Sequence, residues 1–125
     1  MTAKGSFVID KKDVQPVEWL GGQMSHTRFY KTFSGDLTGT SIVEAIMMAA
    51  ENDGASVYVG MERFECAIHG KTGTFLLTHA ATHHASGGVA DWKIVAGSGT
   101  GELQGITGSA QILPKHDFEL TYELR

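Results

Sequence analysis

The stretch YVGMERFECAIHGKTGTFLLTHAATH at residues 58–83 decides the fold, because it reads as two alternating strands joined by a tight turn at residues 69–72. Taking residues 70 and 71 as a two-residue loop, a favoured length for hairpins, places Glu62 opposite His79. Cys66 then faces Phe75, and Phe64 faces Leu77. The stretch therefore predicts a β-hairpin with one mostly apolar face, formed by Tyr58, Phe64, Cys66, Ile68, Phe75 and Leu77.

Glu62 and His79 are the polar exceptions on this face, and facing side chains of an antiparallel pair lie about 5 Å apart at Cβ. One interpretation is an acid/base pair in a low-dielectric pocket, where neighbouring groups shift pKa values. The other is a buried polar pair that satisfies itself and fixes the strand register. Both interpretations remain open, and both make Glu62 and His79 the candidate catalytic residues. The candidate ligand-binding residues of the interior are Tyr58, Phe64, Cys66, Phe75, Leu77, Trp92 and Tyr122.

Composition predicts one soluble cytoplasmic domain over residues 1–125, a common size for a single core. The formal net charge of −4 argues against nucleic-acid binding, which favours a basic surface. The longest apolar run, residues 46–50, is far shorter than the roughly 20 residues of a membrane helix, and no leader-like segment is expected at the start of the chain. The single cysteine excludes an internal disulfide and a cysteine-rich zinc site, and we expect no cofactor.

The rest of the chain divides into short alternating segments separated by turn signals, which is typical of an all-β sandwich or barrel. Residues 42–51 have helical spacing, but their position between two hairpin turns favours a strand. A turn is expected at residues 52–54, and a strand is expected over residues 100–112. Pro16 is expected at a sheet edge or bulge because it cannot donate a ladder hydrogen bond.

Two features suggest a bound metal or nucleotide, and neither has the required spacing. His79 and His83 share a face of one strand but lie about 13 Å apart, whereas zinc ligands converge to about 2 Å from one ion. His84 points to the opposite face, and His69 and His116 are expected to be solvated. The glycines at residues 97–108 lack the lysine of a phosphate loop and the spacing of a dinucleotide site. We expect no metal, and we assign these glycines to tight turns and close strand contacts.

Several motifs in order resemble those of an uncharacterised bacterial domain family of the allene oxide cyclase-like (AOC) barrel superfamily. The resemblance rests on Trp92 and on the segments KTFSGDLTG at 31–39, VGMERF at 59–64, GKTGTFLLTH at 70–79 and GSGTGEL at 97–103. It implies one closed, mostly antiparallel, allene oxide cyclase-like or lipocalin-like barrel of about eight strands. A barrel of this size is either filled by side chains or holds one small ligand. The resemblance also implies a homo-oligomer, and it transfers no catalytic residue.

Two functions follow from these expectations. The first is binding of a small apolar, acyl or aromatic molecule in the barrel, with cyclase- or isomerase-like chemistry by confinement. The second is a non-catalytic structural or interaction protein, a dimer or trimer whose barrel is filled. An apolar cavity of some 300 Å³ or more favours the first, and a filled interior favours the second. The predicted subunit interface is the outer hairpin face, formed by Val57, Val59, Met61, Ala67, Leu76 and Ala80.

Overall fold

The computed structural model describes residues 1–51 and 54–125, and these form a closed, eight-stranded, antiparallel β-barrel in which every strand pairs with its neighbours in the chain and β8 returns to β1. The all-β barrel is therefore confirmed, as is the strand predicted at residues 42–51, which extends as far as residue 50. The turn predicted at residues 52–54 falls largely outside the described residues. The strands are β1 (Thr2–Val17), β2 (Gly22–Gly35), β3 (Leu37–Ala50), β4 (Ser56–Ile68), β5 (Lys71–His84), β6 (Gly87–Ile94), β7 (Thr107–Leu113) and β8 (Asp117–Glu123).

The hairpin of β4 and β5 is present, but the predicted register is wrong by two residues. Ile68 pairs with Lys71, so the two-residue loop is His69-Gly70, and Glu62 lies opposite Leu77 instead of His79. The loop has φ values of 49° and 81° at its two central residues, as a type I′ turn requires, and glycine fits the second position. The same shift places Cys66 opposite Gly73 and Phe64 opposite Phe75. Because side chains alternate with a period of two, every predicted inward residue still faces inward.

The two ends of the barrel differ, and the end at the β2–β3 and β4–β5 turns is closed. The segment after β6 folds across this end, where Leu103 and Ile106 are fully buried. The strand predicted over residues 100–112 is wrong in its first half, which forms this cap and a 3₁₀ turn at Gly101–Leu103. Gly101 has a positive φ of 62° that ends extended structure. A Cβ at Gly73 would lie 2.0 Å from the Thr100 carbonyl oxygen, so the cap needs this glycine.

The opposite end of the barrel is open, because the long strands β1–β5 continue beyond the ends of the shorter strands β6–β8. A bulge between Ile9 and Lys11 shifts the β1–β2 register and redirects the side chains of β1 beyond it. The pairing of β1 with β8 covers Thr2 to Ser6 and goes no further. Pro16 therefore lies in a stretch of β1 that pairs with β2 alone, as expected for an edge. β6 and β7 are joined by only two residue pairs, Trp92–Ala110 and Lys93–Ser109. The barrel wall is therefore incomplete between β6 and β7 on the open-end side of Trp92.

The closed half of the barrel is a packed core of aromatic and aliphatic side chains. The Phe64 and Phe75 rings stack with centroids 4.5 Å apart, and Phe33 meets Phe118 edge to face at 5.2 Å. The space left between these rings has a volume of only about 20 Å³, room for about one water molecule. Side chains therefore fill this half.

Candidate functional site

The open half of the barrel contains a cavity of about 340 Å³, which lies at the lower end of the range for small-molecule sites. Its walls come from β1, β2, β4, β5, β6, β7 and the turn before β8, and most of its lining is apolar. In addition to the indole of Trp92, four polar or ionisable side chains line the cavity. The lining residues are Phe7, Ile9, Phe29, Lys31, Tyr58, His79, Ala81, Trp92, Ile112 and His116.

A buried polar network separates this cavity from the filled half, and Glu62 is its centre. The Glu62 side chain accepts a hydrogen bond of 2.7 Å at Oε1 from His79 Nε2. Its other oxygen, Oε2, accepts a hydrogen bond from the Ser41 hydroxyl at 2.5 Å and lies 3.5 Å from Lys31 Nζ. Glu62 and His79 are each at most 2% exposed. The register error thus leaves the predicted contact intact, since the two residues meet as diagonal neighbours across the ladder.

The tautomer of His79 follows from its second hydrogen bond. Trp92 Nε1 donates to His79 Nδ1 at 2.7 Å, and an indole N–H is a donor only. The hydrogen-bond pattern therefore assigns the ring hydrogen of His79 to Nε2, where it is donated to Glu62. Both ring nitrogens of His79 are engaged, so in this arrangement neither is free to meet a molecule in the cavity.

Burial alone would raise the pKa of Glu62, because it disfavours the charged form. The hydrogen bond from His79, the positive charge of Lys31 and the Ser41 hydroxyl outweigh burial and hold this pKa below its ordinary value. Glu62 is therefore an ionised carboxylate at neutral pH. Its charge is matched by the Lys31 ammonium.

Lys31 is the group of this network that still has hydrogens to donate. Its side chain is only 6% exposed, and its Nζ lies 4.3 Å from the centroid of the Phe7 ring in a cation–π contact. An ammonium has three N–H donors. The 3.5 Å distance to Glu62 is longer than the 2.7–2.9 Å of a charge-assisted hydrogen bond. No other described residue forms a hydrogen bond or an ion pair with Lys31, and Lys31 lines the cavity.

The predicted lining residues divide between the two halves of the barrel. Tyr58 and Trp92 line the open cavity. Phe64, Phe75 and Leu77 pack in the filled half, and so does Cys66, where burial raises the pKa of the thiol to about 12. Tyr122 lies near the closed end, and its hydroxyl meets His69 Nδ1 at 2.5 Å. These last five residues belong to the core.

Sequence reasoning missed two residues that shape the cavity. Lys31 lies between Phe29 and Phe33 on the inward face of β2, and a lysine at an apolar period-two position was the available signal. His116 is exposed, as expected, but its ring also stacks on Phe7 with centroids 4.8 Å apart at the cavity rim. The backbone of His116 has a φ of 59°, in the left-handed region, and no local sequence pattern predicts this conformation.

The remaining surface features concern metals, partners and membranes. Within residues 1–51 and 54–125 there is no group of three or more histidine, cysteine or acidic residues able to hold a metal ion. On the predicted interface face, Val59 and Met61 are 52% and 43% exposed, and neighbouring Ile46 is 55% exposed. Oligomerisation through this face stays a prediction. In the described part of the chain, no helix has the length and apolar character to cross a membrane.

Comparison with known proteins agrees with this barrel. A family model described as "Protein of unknown function (DUF3224)" matches residues 3–125. The chain belongs to the DUF3224 family. One structural relative is the crystal structure of a DUF3224 protein of unknown function from Shewanella oneidensis MR-1, with a TM-score of 0.85, coverage of 100% of this chain and 98% of that chain, and 23% sequence identity. That identity supports the shared fold alone, and no curated protein matches the chain. Membership of an uncharacterised family is thus confirmed.

Proposed function

We propose that this DUF3224 protein binds a small, mostly apolar molecule in the open half of its barrel. The observation that carries the proposal is the 340 Å³ cavity with a buried lysine at its floor. A lysine that is 6% exposed loses much of its hydration on folding, which is costly unless other groups replace the water. Glu62 balances its charge but leaves donors free, and a ligand in the cavity would engage them.

The division of the barrel into two halves gives this proposal its physical basis. The filled half provides a rigid floor, because stacked aromatic rings leave no room for a ligand there. His79 and Ser41 hold the Glu62 carboxylate by hydrogen bonds, and the carboxylate in turn holds the Lys31 ammonium at this floor through the ion pair. A preformed apolar cavity with a few fixed polar groups is the usual construction of small-molecule sites.

Kinship with allene oxide cyclase-like barrels and chemistry by confinement are part of this proposal. The closed eight-stranded barrel and the glycine-rich cap support the kinship, although one fold can serve many activities. The catalytic role predicted for Glu62 and His79 stays a prediction. Their mutual hydrogen bond favours a positioning role, in which they hold Lys31 toward the ligand.

The test compares two substitutions on adjacent residues of β5. Ala81 lines the cavity, whereas Ala80 is exposed on the outer face. We expect small aromatic and acyl compounds to raise the melting temperature of the wild type, because a ligand of the native state stabilises it. Ala81→Phe should abolish this increase, and Ala80→Phe should preserve it. A screen in which no compound stabilises the wild type, or in which Ala81→Phe responds like the wild type, would refute the proposal.

The outer face around Val59 favours a second candidate, a structural role as a homo-oligomer. Ile46, Val59 and Met61 form adjacent exposed apolar positions on β3 and β4, and contiguous patches of this kind mark interaction surfaces. The two functions are compatible, because this face lies on the outside of the barrel and the cavity on the inside. A cytoplasmic location, expected from composition, stays a prediction.

A further inference from the structure

We infer that the cavity selects a molecule with a neutral hydrogen-bond acceptor, a carbonyl group attached to a small apolar body. This inference rests on the proposed binding function and names the chemistry of its ligand. It follows from the hydrogen-bonding state of each polar side chain at the cavity floor and from the charge balance of the buried network.

At the floor of the cavity, each acceptor atom of the Glu62–His79 pair already has a partner. Both oxygens of Glu62 and both ring nitrogens of His79 are engaged within the network. The Trp92 N–H is also used. Lys31 lines the cavity and retains N–H donors, so a ligand group that meets Lys31 must accept a hydrogen bond.

Tyr58 adds a second donor to the lining. Its hydroxyl forms no hydrogen bond with any described residue, and its ring lies 5.6 Å from that of His79. Burial and the nearby charge of Glu62 raise the pKa of Tyr58, so the phenol keeps its proton. A carbonyl oxygen has two lone pairs and can accept from both Lys31 and Tyr58.

Charge balance favours a carbonyl over a carboxylate. Lys31 and Glu62 already form a buried pair without net charge, separated by 3.5 Å. A ligand carboxylate would add a second anion beside Glu62 and would itself lose water on entering an apolar cavity, which is costly for a charged group. A ketone, aldehyde or ester adds an acceptor without adding charge.

The size of the cavity restricts the apolar body. At roughly 30 Å³ for each water in the liquid, 340 Å³ corresponds to about eleven waters, and hence to a ligand of about ten non-hydrogen atoms. Acetophenone, ethylbenzene and benzoate are suitable probes, because they share one phenyl ring and differ in the attached group.

The experiment measures the Kd of each probe by NMR, following the indole N–H signal of Trp92, with Trp19→Phe used to assign the two tryptophan signals. The comparison protein is Lys31→Met/Glu62→Gln, which removes the donor and its counter-ion together. We expect the preference for acetophenone over ethylbenzene to fall about tenfold or more in this variant, the effect of losing a hydrogen bond from a charged donor. In the wild type, benzoate should bind about tenfold or more weakly than acetophenone.

A second measurement needs no variant and applies even if the double variant fails to fold. The carbonyl stretching frequency of ¹³C-labelled acetophenone bound to the wild type should lie below its value in an alkane solvent, because a hydrogen bond from an ammonium weakens the C=O bond. A bound frequency equal to the alkane value, or an unchanged preference in the double variant, would overturn the inference. Ethylbenzene binding that Ala81→Phe blocks would in that case still support the proposed function. Failure of all three probes to bind would refute both.

Discussion

Replacing Glu62 with glutamine tests whether the buried carboxylate holds the network together. The glutamine amide can keep an acceptor oxygen for His79, but it turns two charge-assisted contacts into neutral ones and leaves the ammonium of Lys31, 3.5 Å away, without a counter-ion. Hydrogen bonds to charged groups contribute about 1.5–3 kcal/mol and neutral ones about 0.5–1.5 kcal/mol. Breaking a buried ion pair by removing one partner costs about 3–5 kcal/mol.

We therefore expect Glu62→Gln to lower the free energy of unfolding by about 3–5 kcal/mol. A domain of ordinary stability, about 5–15 kcal/mol, survives this loss in part, so the variant should fold with reduced stability. Urea unfolding followed by tryptophan fluorescence measures the difference. The matched control is Glu65→Gln on the outward face of the same strand, which should stay within about 0.5 kcal/mol of the wild type.

The double variant Lys31→Met/Glu62→Gln separates charge from shape. It removes the uncompensated ammonium together with its counter-ion. We therefore expect its loss of unfolding free energy to be about 1–3 kcal/mol smaller than the sum of the losses in the two single variants, because residues of one network are energetically coupled. A loss below about 1 kcal/mol in Glu62→Gln, or strict additivity of the two substitutions, would show that the carboxylate does not anchor Lys31.

Three further predictions concern pH, the cap and the outer face. Because the pKa of Glu62 is held below its ordinary value of 4.5, its stabilisation is present above that value and is lost as the pH falls through the lower folded value. Urea unfolding across this range should show the wild type approaching Glu62→Gln in stability, and a constant difference would contradict the sign. Gly73→Ala places a Cβ 2.0 Å from the Thr100 carbonyl oxygen and should lower the free energy of unfolding by about 1–3 kcal/mol, as overpacking does. A variant that unfolds in urea at the same concentration as the wild type would show that the cap is not tightly packed at Gly73. Val59→Glu should dissociate the expected homo-oligomer in sedimentation velocity experiments, and a monomeric wild type would refute that interface.

The barrel and its inward face could be predicted because they depend on a period of two that is visible in the residues themselves. The alternation of residues 58–83 fixed which side chains face inward, and a register error of two left those faces unchanged. The turn itself was misplaced because His69 adopts a positive φ of 49°. Histidine does so less readily than glycine, so the local pattern favoured the wrong pair of loop residues.

The boundary between the filled and open halves could not be predicted in the same way. It depends on how far each strand extends past its neighbours and on the bulge between Ile9 and Lys11, which are properties of the closed barrel. The predicted lining therefore mixed Tyr58 and Trp92 with core residues such as Phe75. Lys31 was missed because its partner Glu62 belongs to a strand two positions away in the barrel.

The seam between β6 and β7 has a consequence for how the barrel moves. Most neighbouring strands share long ladders, whereas this seam is closed by two residue pairs and so contributes few of the bonds that protect a wall from local opening. Trp92 belongs to one of these pairs and also donates to His79. The indole thereby adds a side-chain bond between β6, on one side of this seam, and His79 on β5. Amide hydrogens along β6 should exchange with solvent sooner than those of β3 and β4, and a molecule that contacts the indole from inside would slow that exchange.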